Sequence, residues 1–258
     1  MLRIGVRGSK LALAYADMAC KALDTETEIV VINSAGDLNP DVPISEIGGK
    51  GVFCSAIEQE LLAGNIDVAI HSLKDMPGDV ETPGLVVNAV LKRNSSHDVL
   101  IGKVTFGSVI GTSSPRRTAQ LLSHYASLNI QVKPIRGNID TRLAKLEAGD
   151  YDALILAEAG LDALGIINTR MRLPFVPAVG QGIIALQTRD SDLETNLIVK
   201  RANHKITFAQ AQLERSILKG LNGDCHTKVA AHATGSVSYT HLRAHETPEH
   251  LVCRLLLE

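Results

Sequence analysis

An imidazole, a hydroxyl, an ammonium and a carboxylate crowd into Ile70-His71-Ser72-Leu73-Lys74-Asp75-Met76-Pro77. The residues before them, Ile66 to Ile70, read as an apolar strand, and Pro77 stops regular structure. Polar groups gathered at the carboxyl end of a buried strand are what an open α/β sheet presents to a ligand. Asp75 is suited to offset a cation or to move a proton. As the only acid expected in the inner shell of so many cations, it should stay ionised.

Cations recur where predicted helices begin: Arg7 and Lys10, Lys50, Arg116 with Arg117, and Arg142 with Arg136 just ahead of it. The helix dipole favours negative charge at these ends. A set of cations there predicts anions held jointly by side chains and backbone N–H groups. Arg116, Arg117, Arg136 and Arg142 offer forks that match carboxylates. A ligand with several carboxylates or phosphates fits, and no loop has the spacing of a Walker P-loop. Cys225 follows Gly223-Asp224 at a helix end beside His226 and Lys228, where a thiol could act as a nucleophile. Cys20 and Cys54 fall on predicted helices and read as core. No CxxC spacing occurs, so no metal site is expected.

The elements that must position these groups are drawn from 258 residues, 45% of them hydrophobic but only 3% aromatic and none Trp. The core must therefore be aliphatic. With 26 basic and 28 acidic residues, a generally basic nucleic-acid surface is excluded. The opening Met1 to Arg7 runs into a strand without a signal-peptide pattern, and no apolar run reaches membrane-span length. Four cysteines without a disulfide or zinc pattern point to reduced thiols and a cytoplasmic location.

Strands are predicted at 3–6, 28–34, 67–70, 85–91, 98–101, 109–111, 131–135 and 153–156. Helices are predicted at 11–23, 53–62, 140–147 and 208–221, with another following the Thr112–Arg117 segment and running to about 125. Residues 35–47 read as a loop and 77–83 as a connector. The run 109–160 reads strand–helix–strand–helix–strand, which implies a parallel sheet. Residues 239–250 hold three of the nine His and show no usable period.

Seven segments occur in order: Arg7-Gly8-Ser9-Lys10-Leu11-Ala12, Gly48-Gly49-Lys50-Gly51-Val52-Phe53, His71 to Pro77, Gly111-Thr112-Ser113-Ser114-Pro115-Arg116-Arg117, Arg136-Gly137-Asn138 with Thr141-Arg142, Pro177-Ala178-Val179-Gly180-Gln181-Gly182, and Gly223-Asp224-Cys225. Together they resemble the porphobilinogen deaminase (hydroxymethylbilane synthase) family over about residues 3 to 235. The resemblance implies an α/β fold of two periplasmic-binding-protein-like lobes plus a small α+β C-terminal domain, which is expected to be truncated here. Domain 1 would comprise residues 1–84 and 173–190, domain 2 residues 85–172, and a partial cofactor-carrying domain residues 191–237. Residues 238–258 are expected to be a non-native tail.

The same resemblance implies a transferase that joins four porphobilinogen units head to tail, with loss of ammonia, into hydroxymethylbilane. It implies a dipyrromethane cofactor bound covalently through Cys225 and a catalytic Asp75. Arg7, Ser9, Ser72, Lys74, Thr112, Ser113, Ser114, Arg116, Arg117, Arg136, Arg142 and Gly160 would hold the cofactor and growing chain. Phe53 and Gln181 would stand beside the substrate. A cytoplasmic monomer without nucleic-acid or membrane partners is expected. A non-catalytic two-lobed binder of a polyanion is the rival reading. The Cys225 motif counts against it.

Overall fold

The computed structural model describes residues 1–33, 54–78, 82–221 and 229–234, together with the backbone strand at 241–244. A first sheet has the order β2-β1-β3-β10-β4, built from β1 (Leu2–Arg7), β2 (Thr27–Ile32), β3 (Val68–Ser72), β4 (Leu85–Val90) and β10 (Ile184–Arg189). β1 runs parallel to β2 and β3, while β10 lies antiparallel between β3 and β4. Strands covered on both faces become near-continuous apolar runs, and Ile4, Val6, Val68 and Ile184 are fully buried.

Helix α1 (Lys10–Leu23) packs Tyr15, Ala16, Ala19 and Leu23 on one face of this sheet. Ser9 caps it, its hydroxyl accepting from the Ala12 N–H at 3.2 Å, which satisfies one of the free amides of the first turn. Helix α2 (Ser55–Leu62) covers the other face with Ile57 and Leu61 against Ile66 and Ala69.

A second sheet has the order β7-β6-β8-β5-β9, from β5 (Asp98–Gly102), β6 (Val109–Gly111), β7 (Gln131–Lys133), β8 (Ala153–Ala157) and β9 (Arg170–Arg172). β6, β7 and β8 run parallel, as the alternating pattern requires, and β5 returns antiparallel beside β8. Helix α3 (Pro115–His124) seats Leu121 against Ile110 and Ile155. Pro115 stands in its first turn, where a missing N–H costs nothing. Helices α4 (Ile139–Glu147) and α5 (Glu158–Ala163) cover the far face through Ile139, Leu143 and Leu161. The largest fully buried side chains are all Ile and Leu, the aliphatic core the composition demands.

Leu85–Val90, expected to open the second lobe, belongs to the first sheet instead. It pairs with β10 and buries Ala89 and Val90 there. The chain therefore leaves the first lobe after β4 and returns to it at β10. The crossings, residues 91–97 and 173–183, are tied by the Asn94 N–H to Gly182 O at 2.8 Å. Gly182 has φ +81, and a Cβ there would sit 2.5 Å from Ser95 O. Only glycine fits.

Helices α6 (Leu193–Arg201) and α7 (Lys205–Gly220) follow. Glu214 on α7 is fully buried and accepts from Arg93 Nη1 at 2.6 Å, the Gly180 N–H at 2.8 Å and the Ala233 N–H at 2.8 Å. One carboxylate thus joins both crossings to β11 (Ala231–Thr234). β11 pairs antiparallel with β12 (His241–Ala244), so part of the stretch expected to be a non-native tail forms a strand against the described fold.

Candidate active-site cleft

Arg7 ends β1, and Ser72, Lys74 and Asp75 stand at and just beyond the end of β3. Parallel β1 and β3 end on the same side, so these groups converge at one sheet edge as the topology of open α/β sheets demands. Lys74 and Asp75 lie in a single 3-10 turn, Leu73–Asp75. A cavity of about 630 Å³ opens there. Its first-lobe wall includes Arg7, Ser9, Lys10, Tyr15, Ser72, Lys74 and Asp75; its second-lobe wall includes Arg117, Arg136, Asn138, Asp140, Arg142, Lys145 and Gly160.

Seven basic side chains face two acidic ones in this lining. Lys10 and Asp140 pair across the lobes at 2.9 Å, both well exposed. Burial pushes the Arg142 guanidinium down to about 10, and the like charges of Arg117 and Arg136 push the same way. Its Nε donates to Gly137 O at 2.8 Å. Burial likewise pushes the Lys74 ammonium down, although Asp75 pulls it up. Tyr15 is pushed up to about 12, by burial first and then by Asp75. Cations crowded this closely oppose one another, and bound carboxylates relieve them.

Several other residues singled out from the sequence are held by partners within the protein. Arg116 is buried against Asp98, Nη2 to Oδ2 at 2.7 Å, and donates from Nη1 to Val176 O at 2.6 Å. Arg117 lines the cleft but also binds Asp98, Nε to Oδ1 at 2.9 Å, and donates to Ile155 O at 3.0 Å. Gln181 donates to Asp98 Oδ1 at 3.1 Å and to Ser96 O at 2.8 Å. Thr112 accepts from the Ser114 N–H, Ser113 donates to Ile135 O at 2.7 Å, and Ser114 caps α3. These three hydroxyls shape the turn.

Gly160 lines the cleft and also lets two lobes touch. A Cβ there would lie 2.8 Å from Ile139 Cδ1 and 3.5 Å from Leu11 Cδ2. Phe53, Lys50 and Cys225 lie outside the described residues.

Asp75 is not the only acid among these cations. Asp98, fully buried at the start of β5, was missed. Burial raises its carboxyl, but Arg117 and Arg116 outweigh burial and hold it at about 2. The sequence signal was an acid opening the apolar run Val99-Leu100-Ile101, a place where a buried charge needs a partner.

Among the described residues no cluster of His, Cys, Asp and Glu could hold a metal. No described helix is long and apolar enough to cross a membrane.

Two α/β lobes flanking a strongly cationic cleft, with the Asp75 carboxylate in its lining, define a two-lobed protein whose cleft suits an anionic ligand. The model of the "Porphobilinogen deaminase, dipyromethane cofactor binding domain" matches residues 2–197. The porphobilinogen deaminase of Geobacillus kaustophilus is 44% identical over 263 residues, covering 93% of this chain and 84% of its own. A probable porphobilinogen deaminase of Hyperthermus butylicus is 39% identical, with 93% and 84% covered. Among solved structures, a nutrient binding protein from Burkholderia cenocepacia bound to methionine overlaps 86% of this chain and 98% of its own at 10% identity and a TM-score of 0.47. The chain belongs to the porphobilinogen deaminase family.

Proposed function

We propose that this chain joins four porphobilinogen units head to tail, with loss of ammonia, into hydroxymethylbilane. A dipyrromethane bound through Cys225 is the proposed anchor. The observation that supports this reading most is the cationic excess of the cleft, where Arg117 and Arg136 stand close enough to Arg142 to push its guanidinium down. Porphobilinogen brings an acetate and a propionate with each unit, so a growing chain adds charge that this wall can absorb. The fit extends to the cofactor, whose side chains are the same two acids. Arg7, Ser9, Lys74, Arg117, Arg136 and Arg142 would hold it. When bound, the dipyrromethane supplies the free α-carbon from which the chain grows.

The protein's own part is electrostatic. Asp75 accepts hydrogen bonds from pyrrole N–H groups and offsets the positive charge that develops as ammonia leaves the substrate. Preorganised charges of this kind typically contribute a factor of about 10²–10³. The arginines fix register by pairing with carboxylates, and Tyr15, held neutral, adds a rigid wall beside Asp75. Asp98 holds Arg117 in place from behind.

Intact mass tests the anchor. The full chain should carry the increment of one dipyrromethane, and Cys225→Ser should lose it together with turnover. An increment that persists in Cys225→Ser but disappears in Cys54→Ala would overturn the attachment.

A further inference from the structure

Behind Asp75 the cleft has a small recess of about 60 Å³, lined among others by Arg7, Ser9, Cys54, His71, Ser72 and Asp75. Its volume has room for only a few water-sized groups. One wall is built with more care than packing requires. Glu58 accepts from Gln187 Nε2 at 2.9 Å and from Thr82 Oγ1 at 2.8 Å. A carboxylate cannot donate, so the Gln187 amide must turn its NH₂ to Glu58 and its oxygen to His71. That oxygen lies 3.0 Å from His71 Nε2, and therefore Nε2 carries the proton. The tautomer of a buried histidine is set from two residues away.

The consequence falls on Nδ1, which is left with its lone pair. No described residue hydrogen-bonds it, and His71 lines the recess. We propose that this recess seats the aminomethyl nitrogen of the incoming unit, as ammonium and then as departing ammonia, with His71 Nδ1 and Asp75 as its acceptors. The inference rests on the proposed function of the cleft.

The charges facing the site suit departure. Asp75 attracts the ammonium, Arg7 opposes it, and Cys54 Sγ donates to Asp75 O at 3.6 Å. Burial pushes the imidazole down, Arg7 pushes it the same way, and Glu58, Gln187 and Asp75 pull it up. His71 is thus held neutral as an acceptor, and the recess binds an ammonium without trapping it. In the step itself the C–N bond breaks and its electron pair leaves on ammonia. The free ring α-carbon attacks the methylene to form the new C–C bond, and the proton that this attacking carbon loses balances ammonia as ammonium.

Two variants separate this role from packing. The Asn side chain places its oxygen where Nδ1 stands, and Gln places its NH₂ where Nε2–H stands. His71→Asn keeps the recess acceptor and drops the bond to Gln187; His71→Gln does the reverse. With circular dichroism and dipyrromethane content checked first, His71→Gln should lose about tenfold or more in turnover, as for one hydrogen bond to a charged group. His71→Asn should retain the larger share. Ammonium chloride should inhibit the wild type more than tetramethylammonium chloride at equal ionic strength, and His71→Gln should blunt that difference. Equal or greater activity in His71→Gln would overturn the proposal, as would two variants that match the wild type. If neither variant folds, the wild-type comparison decides, and equal inhibition by the two cations refutes it. A fully active Asp75→Asn would instead remove the reading of the cleft itself.

Discussion

Replacing Asp98 by Asn should be the most damaging single-charge change outside the cleft. Its carboxylate is fully buried and meets Arg116 at 2.7 Å, Arg117 at 2.7 Å and Gln181 at 3.1 Å. The folded-state value of about 2, against an ordinary 3.8, corresponds to roughly 2–3 kcal/mol of stability by linkage. The shift is downward, so this stability is fully present above the ordinary value and is lost as pH falls through 3.8 toward 2. Loss of the charge also leaves two buried guanidinium groups uncompensated, for which broken buried pairs typically cost about 3–5 kcal/mol. Asp98→Asn keeps the shape and one acceptor, so about 3 kcal/mol is expected at pH 7, and Asp98→Ala should cost more. Urea unfolding followed by circular dichroism measures the difference directly. The penalty should shrink as the wild type is titrated below pH 4. A loss under about 1 kcal/mol at pH 7, or one that does not change with pH, would refute the assignment of Asp98 as the charge that holds Arg116 and Arg117.

Asp75→Asn should fold and load the cofactor but fall about 10²–10³-fold in single-turnover ammonia release; Asp75→Glu should retain more. Arg142→Leu should leave the circular dichroism spectrum intact while elongation slows, since each lost charge-assisted bond is worth about 1.5–3 kcal/mol; normal product distribution would count against carboxylate binding there. Lys10→Ala removes an exposed pair with Asp140 and should change unfolding free energy by less than about 1 kcal/mol. Gly160→Ala asks only the flexible end of Ile139 to move and should be mild, whereas Gly160→Leu should overpack the lobe contact by about 1–3 kcal/mol in the same denaturation assay.

The parts of the fold legible in the sequence were those dictated by local period and punctuation. Strands β1, β3 and β8 announce themselves as apolar runs, and Ser9, Ser114-Pro115 and Gly149 mark helix ends. Helix α6 was not legible because its stripe is inverted: Leu193 and Leu197 are exposed while Thr195 and Asn196 are buried. Asn196 faces inward, its Oδ1 accepting from Thr188 Oγ1 at 2.6 Å and from Asn88 Nδ2 at 2.5 Å, and Asn88 is a partner no local window contains. The same holds for β10, whose approach through Pro174, Pro177 and Gly180 reads as loop. Its place between β3 and β4 depends on pairings with residues about a hundred positions earlier. Of the site, the polar groups at the ends of β1 and β3 were readable, since strand ends expose them by topology alone. Which arginines turn outward was not, because that depends on the buried acid behind them.

That dependence explains how a cleft can stay so cationic without its second lobe coming apart. Arg116 and Arg117 are adjacent on α3, and their mutual repulsion would press on any helix that buried them both. Asp98 sits at the first residue of β5, beneath the helix start, and takes one contact from each. Arg117 can then line the cleft with its guanidinium fixed by Asp98 and Ile155 O. Its charge reaches Arg142, while its geometry is set from within the lobe. Gln181 completes the arrangement by carrying the same carboxylate to the returning crossing. The charge pattern and the returning crossing share one buried atom, Asp98 Oδ1, which accepts from both Arg117 and Gln181.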